Sequence, residues 1–251
     1  MIYYLCTIKM RVANKIKKVT ASRFPGEVFS FNELGLASEE YSAATKALSR
    51  LVADGWLKRS SPGKYYKPIQ SPFGELKPSE EELLKPYLFE DGKRVAYITG
   101  TALYNKLGLT TQVPRIIQVA SRNKRIVTQI GNIKVKSVKS YVDVTEENYL
   151  LLGLLDAIKD FKEIPDSDPK NVLLRLRQLL KELNVSNLNQ LARFCMDYPP
   201  RTRALTGALL EWMGLSEAIT EMLLNSLNPL SIYNINLSPG LLPMAEKWNI
   251  S

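Results

Sequence analysis

Tyr41, Ser42, Thr45, Lys46, Ser49 and Arg50 recur in two rows four residues apart, the spacing that gathers side chains on one side of an α-helix. Their chemistry is recognition: hydroxyls that donate and accept hydrogen bonds, and two cations. A helix presenting this set in a DNA major groove reaches base edges and phosphates together. Arg59, Lys64 and Tyr66 follow in the next short segment and extend the set toward a phosphate backbone.

Catalytic groupings are thinner. The chain has no histidine, which removes Ser-His-Asp and Cys-His nucleophile pairs, the HExxH zinc helix and an imidazole base near neutral pH. Cys6 and Cys195 are the only cysteines, too few for a structural zinc site. Asp143 with Asp160-Phe161-Lys162 loosely imitates the acidic-x-Lys arrangement of metal-dependent nucleases. That chemistry wants the carboxylate and the lysine side by side on a strand, whereas a leucine-rich helix turns alternate residues apart. Asp166-Ser167-Asp168 is bracketed by Pro165 and Pro169 and reads as a solvated loop. Gly63-Lys64 and Gly92-Lys93 lack the Ser or Thr of a phosphate-binding loop, and no GxGxxG occurs. No enzyme activity, metal or cofactor is therefore expected.

The recognition residues need a scaffold, and the sequence around them supplies one. Lys9 to Val19 puts Met10, Val12, Ala13, Ile16 and Val19 on one side of a first helix and Arg11, Lys15, Lys17 and Lys18 on the remainder. Val28-Phe29-Ser30 is a short extended piece, and Asn32 is placed to cap a second helix running through Leu36. The third helix spans Ser38 to Asp54, with Ser38 as N-cap, Gly55 as its stop, and Ala44, Ala47, Leu48, Leu51 and Val52 facing inward. Trp56 to Ser60 and Lys64 to Lys67, joined through Pro62-Gly63, form a basic hairpin. Helix, helix, helix, hairpin is the order of a winged helix-turn-helix.

The 251 residues carry 34 basic and 25 acidic side chains, net +9, and the charge is unevenly spread. Residues 1–67 hold 12 basic against 5 acidic side chains, and residues 92–141 hold 10 against none. Residues 68–91 and 142–170 are net −4 and −5. The expected organisation is a DNA-binding domain at 1–67, a linker at 68–91 broken by Pro68, Pro72, Gly74 and Pro78, and an α+β domain at 92–251. Its 92–142 part is a small antiparallel sheet built from the β-branched runs Ile116 to Ala120, Ile126 to Ile130 and Ile133 to Val138, preceded by a strand from Arg94 to Ile98 and a helix from Thr99 to Leu109. Its 146–251 part is a helical bundle: Asn148 to Lys162, Pro169 to Leu183, Leu188 to Tyr198, Pro200 to Met213 and Ser216 to Leu227. Arg122, Lys124, Arg125, Lys134, Lys136 and Lys139 make a second basic face, with the three lysines close to one register of the last strand. Three uses stand open for it: DNA phosphates, an acidic partner protein, or solvent. No run approaches the length of a membrane span, so a reduced, cytoplasmic and nucleoid-associated protein is expected.

The string Ala43-Ala44-Thr45-Lys46-Ala47-Leu48-Ser49-Arg50-Leu51, then Gly55-Trp56-Leu57-Lys58-Arg59, Gly63-Lys64-Tyr65-Tyr66 and Ser71-Pro72-Phe73-Gly74, resembles the winged-helix half of AbiEi-type antitoxins of bacterial abortive-infection toxin–antitoxin systems. Gly100-Thr101-Ala102-Leu103-Tyr104, Leu107 to Pro114 with its Thr-Thr-Gln-Val-Pro, and Tyr198 to Leu205 fit the same group. The resemblance implies an antitoxin that represses its own operon at repeated promoter sites in double-stranded DNA and antagonises a nucleotidyltransferase-like toxin. It implies base reading by Tyr41, Ser42, Thr45 and Lys46, and phosphate contact by Ser49, Arg50, Arg59 and Lys64. Members of that group begin close to the first helix, so Met10 is the expected natural start and residues 1–9 are expected to be dispensable. A regulator without a toxin partner is the alternative, and a metal-dependent DNA-processing enzyme a further one.

Overall fold

Val12, Ile16 and Thr20 lie four residues apart and are fully buried, which sets the inner side of the first helix, α1 (Ile2–Ala21). The structure, a computed structural model, describes residues 2–123, 128–130, 133–237 and 240–251, with side chains from Val12 onward except those of 128 and 130. The chain divides into two compact units, Met1–Gly92 with Gln129–Ile133, and Lys93–Thr128 with Lys134–Ser251.

In the first unit, α1 packs on α2 (Tyr41–Ala53), whose Ala44, Ala47, Leu48 and Leu51 are buried with Phe29, Leu34, Leu57 and Tyr65. The short strand β1 (Val28–Ser30) precedes α2. The expected helix from Asn32 to Leu36 is instead a 3-10 turn, Phe31–Leu34, and Ser30 rather than Asn32 starts it: the Ser30 N–H donates to Glu33 Oε1 at 2.8 Å. The same device precedes α2. A 3-10 turn, Ser38–Glu40, begins after Ala37, whose N–H donates to Glu40 Oε2 at 3.0 Å, so α2 starts three residues later than Ser38 and without a Ser38 cap. In both places a carboxylate three residues on reaches back to an orphan amide.

β2 (Lys58–Ser61) and β3 (Lys64–Tyr66) form the expected hairpin, antiparallel with Lys58 opposite Tyr66 and Arg59 opposite Tyr65. Its turn is possible because Gly63 sits at φ 72, where a Cβ would clash with its own carbonyl. β1 pairs antiparallel with β3, giving the sheet order β1-β3-β2.

Residues 68–91 are not a linker. β4 (Ile69–Ser71) and β5 (Gly74–Leu76) form a hairpin, and α3 (Glu80–Leu88) buries Leu84 and Leu88. Ser79 Oγ accepts from the Glu82 N–H at 3.3 Å, Glu82 Oε2 accepts from the Val28 N–H at 3.3 Å, and Tyr87 and Ser61 hydroxyls lie 3.2 Å apart. The prolines bound these elements instead of dissolving them, and the unit closes after β6 (Phe89–Glu90).

The second unit opens with β7 (Lys93–Arg94) and β8 (Ala96–Thr99). Thr99 belongs to β8, so Gly100 and not Thr99 precedes the short helix α4 (Thr101–Lys106). β9 (Ile116–Ser121), β10 (Thr128–Ile130) and β11 (Ile133–Lys139) follow. The sheet expected to be antiparallel is mixed: β9 lies between β8 and β11, antiparallel to β8 and parallel to β11. Helices α5 (Tyr149–Lys159), α6 (Pro169–Lys181), α7 (Val185–Cys195), α8 (Pro200–Trp212) and α9 (Glu217–Asn225) match the expected bundle within a few residues. Val172, Leu173, Leu176 and Leu180 of α6 join one core with α5, α7 and α8. The protein is thus a mixed α+β fold with several helices and small sheets, and no described helix is long and apolar enough to cross a membrane.

The tail after α9 was silent in the sequence. It folds back through a parallel bridge between Tyr233 and Ile250 and drives Trp248, fully buried, onto Gly207 of α8. Glu211 Oε2 accepts from Trp248 Nε1 at 2.7 Å and Glu211 Oε1 from Lys247 Nζ at 2.7 Å.

Candidate nucleic-acid interface

The outward side of α2 carries Tyr41, Ser42, Thr45, Lys46, Ser49 and Arg50, all exposed. Small inward residues, Ala44 and Ala47, let α2 sit close to α1 and so fix which side remains open. Tyr41 is 46 % exposed yet held, its ring edge-on to Phe31 at 5.2 Å. Thr45 Oγ1 donates to the Tyr41 carbonyl at 2.9 Å and Ser49 Oγ to the Thr45 carbonyl at 2.9 Å. With their protons committed to the backbone, these two hydroxyls present lone pairs outward and act as acceptors.

The cations of this surface are held in different ways. Among the described residues, Lys46 and Arg50 have no carboxylate partner. On the hairpin, Arg59 lies 5.5 Å over the Tyr65 ring and donates to its hydroxyl at 3.4 Å, and Lys64 lies 4.2 Å over Tyr87. An aromatic face orients a cation while leaving its charge uncancelled. Lys58, by contrast, pairs with Glu75 at 3.4 Å. Tyr66 is set back from this surface: it is 8 % exposed, and burial, with the Glu75 carboxylate nearby, raises its hydroxyl pKa.

The second basic face is less coherent than its charge suggests. Arg122 donates to the Tyr141 carbonyl and pairs with Asp143 at 3.4 Å. Lys134 and Lys136 are exposed and share one side of β11, but Lys139 is odd in register with them and belongs to the opposite side. Lys124 and Arg125 lie outside the described residues.

The acidic groups tested for catalysis are also separated. Asp160 ends α5 and accepts from the Tyr104 hydroxyl at 2.6 Å, whereas Lys162 donates to Asn234 at 3.3 Å and Asp143 is engaged by Arg122. Among the described residues no group of three or more Cys, Asp or Glu could hold a metal ion. Cys195 is buried in apolar surroundings that push its thiol up to about 12, away from reactivity near neutral pH.

One polar cluster escaped sequence reasoning. Asp156, 1 % exposed on α5, accepts from Thr99 Oγ1 at 2.7 Å, the Tyr97 hydroxyl at 2.9 Å and the Tyr198 hydroxyl at 3.3 Å, and lies 3.4 Å from Lys159 Nζ. Burial pushes its carboxyl above the ordinary carboxylate range, while Lys159 and the hydroxyl donors pull it back. The signal was one aspartate inside Leu150 to Ile158, an otherwise apolar run. This closed arrangement fastens β8, α5 and the turn between α7 and α8 together.

These features define a two-unit α+β protein with an exposed, uncancelled basic helix face. Residues 11–188 match the DUF6088 family, described as a family of unknown function, and the chain belongs to that family. The crystal structure of the RV2827C protein from Mycobacterium tuberculosis shares the fold: 14 % identity, a TM-score of 0.54, and an alignment covering 96 % of this chain and 90 % of that one. No curated protein matches the chain in sequence.

Proposed function

We propose that the protein binds double-stranded DNA through its first unit, used as a winged helix-turn-helix, and acts as a cytoplasmic, nucleoid-associated transcriptional repressor that works by binding and not by catalysis. The observation that carries this reading is the outward side of α2, where Lys46 and Arg50 stand among exposed hydroxyls without a carboxylate partner. In this reading α2 enters the major groove, Tyr41, Ser42, Thr45 and Lys46 meet base edges, and Ser49, Arg50, Arg59 and Lys64 meet phosphates. The resemblance to AbiEi-type antitoxins extends it to autorepression at repeated promoter sites and to antagonism of a nucleotidyltransferase-like toxin.

Fluorescence anisotropy with the DNA upstream of the protein's own gene tests the first part. Nanomolar to micromolar binding that weakens steeply with salt is the expected result, and absence of binding at low salt overturns it. The antitoxin part requires that co-expression relieve growth arrest caused by a nucleotidyltransferase-like protein encoded beside this gene. If an adjacent toxin arrests growth equally with and without this chain, the antitoxin role is wrong and the regulator role stands alone.

A further inference from the structure

A groove of about 300 Å³ runs between α1 and α2. Ala13 and Lys17 line it from α1, and Ala43, Lys46, Arg50 and Asp54 from α2. The spacing explains it: residues 13 and 17, and residues 46, 50 and 54, are each one helical turn apart, so they form two facing rows. Alanines form part of its walls, and side chains this short leave the space between the helices open. Lys17 is exposed and has no carboxylate partner among the described residues. Its neighbour on α1, Lys15, is occupied otherwise, donating to the Gly35 carbonyl at 2.7 Å and pairing with Glu40 at 3.3 Å. Three uncancelled cations therefore converge on one concave strip, with a single carboxylate, Asp54, at the end of α2.

We infer that this groove is a binding site for the phosphodiester backbone of the duplex that α2 reads, and that Lys17 makes a phosphate contact which the helix-and-hairpin pattern does not assign. The inference rests on the DNA-binding reading above. A phosphate seated between the two rows meets Lys17 from one side and Arg50 from the other, and small walls let the backbone approach. Asp54, one turn beyond Arg50, repels the backbone from the end of α2. The groove thus orients α2 in the major groove without touching a base.

The test is the salt dependence of duplex binding by the full chain, using the DNA upstream of its own gene. Lys17→Ala, Ala43→Met and Lys18→Ala are compared with the wild type and with Arg50→Ala, after circular dichroism and melting show that each is folded. Lys18 is exposed on α1 but does not line the groove, so its variant removes the same charge from a different place. Ala43→Met fills the groove without changing charge. Expected is a plot of log affinity against log salt that is shallower by about one unit for Lys17→Ala, shallower also for Ala43→Met, and unchanged for Lys18→Ala. Equal effects of Lys17→Ala and Lys18→Ala, no effect of Lys17→Ala, or no effect of Ala43→Met each overturn the groove as a phosphate site. A shallower slope for Arg50→Ala in those cases leaves the DNA reading standing. Failure of the wild type to bind the duplex overturns the reading itself, and the groove with it.

Discussion

Residues 92–141 contain ten basic side chains and no acid, a denser positive charge than residues 1–67, yet the two regions use their cations differently. In the first, Lys15, Arg23 and Lys58 pair with carboxylates, while Lys46, Arg50, Arg59 and Lys64, gathered on α2 and the hairpin, have no carboxylate at ion-pair distance among the described residues. In the second, Arg94 pairs with Glu146 at 2.8 Å and lies 3.8 Å over Tyr149, Arg122 pairs with Asp143, and the exposed Lys134, Lys136 and Lys139 are divided between the two sides of β11. Both carboxylates come from the acidic stretch that follows the basic one. Net charge per segment measures attraction to polyanions at long range, but only cations left unpaired after folding form a contact surface. Deeper in the second unit the same logic reaches its limit in Asp156, where charge is enclosed entirely and serves the core.

The largest effect that separates the regions is expected at that buried carboxylate. Asp156→Ala removes the carboxylate that accepts from the hydroxyls of Tyr97, Thr99 and Tyr198 and leaves Lys159 with Asp160 alone, and should lower stability by about 3–5 kcal/mol in thermal or urea unfolding. A loss no larger than that of an average surface substitution would show that the cluster does not hold the unit together. Next comes Gly207→Ala. A Cβ there would lie 2.0 Å from the Trp248 ring, so the tail must shift, and a cost of about 1–3 kcal/mol with altered tryptophan fluorescence is expected. Wild-type stability and fluorescence would mean that the tail is not seated on α8.

A smaller effect on stability and a larger one on DNA distinguishes Arg50→Ala from Arg122→Ala. Arg50→Ala should leave the melting temperature almost unchanged and make the salt dependence of duplex binding shallower by about one unit, whereas Arg122→Ala should leave that slope alone. Equal slopes for the two variants would assign the second basic face to DNA as well and erase the contrast.

The smallest expected effect is a pH response of the tail. Desolvation works to raise the Glu211 carboxyl, but hydrogen bonds from Lys247 and Trp248 outweigh it and hold it below its usual value of 4.5. A depressed carboxylate contributes stability that is fully present above its unfolded value and is lost as pH falls through its folded value. Acidification below pH 4.5 should therefore loosen Trp248 in the wild type but produce no such step in Glu211→Gln, read by near-ultraviolet circular dichroism. Identical acid profiles would detach Glu211 from the behaviour of the tail.

Much of this layout is legible in the sequence because it depends on local period. Alanine and leucine on one side of residues 41–53, with Ser, Thr, Lys and Arg on the other, set α2 and its exposed face without knowledge of its neighbours. Gly63 marks the hairpin turn, and the leucine spacing of 173–180 marks α6. What was not legible depends on distant partners or on competition between caps. Glu33 and Glu40 reach back to Ser30 and Ala37, so caps placed at Asn32 and Ser38 by residue type were displaced. Pro68, Pro72 and Pro78 read as breakers, yet Leu84 and Leu88 find a core and order the segment between them. Parallel pairing of β9 and β11 cannot be read from strand composition, and Tyr66, a strand residue beside exposed cations, is buried by neighbours its own spacing does not reveal. The tail is seated by Gly207 meeting Trp248, far apart in sequence, a contact with no periodic signature.

The central claim is that the uncancelled cations of α2 hold duplex DNA. It is tested most directly by measuring affinity for the DNA upstream of this gene against salt for the wild type and for Lys46→Ala/Arg50→Ala. Expected is a slope shallower by about one unit, from the Arg50 phosphate contact, with a further loss of affinity at every salt concentration from Lys46, at unchanged melting temperature. An unchanged slope in the double variant, or a wild type that does not bind at low salt, would contradict it.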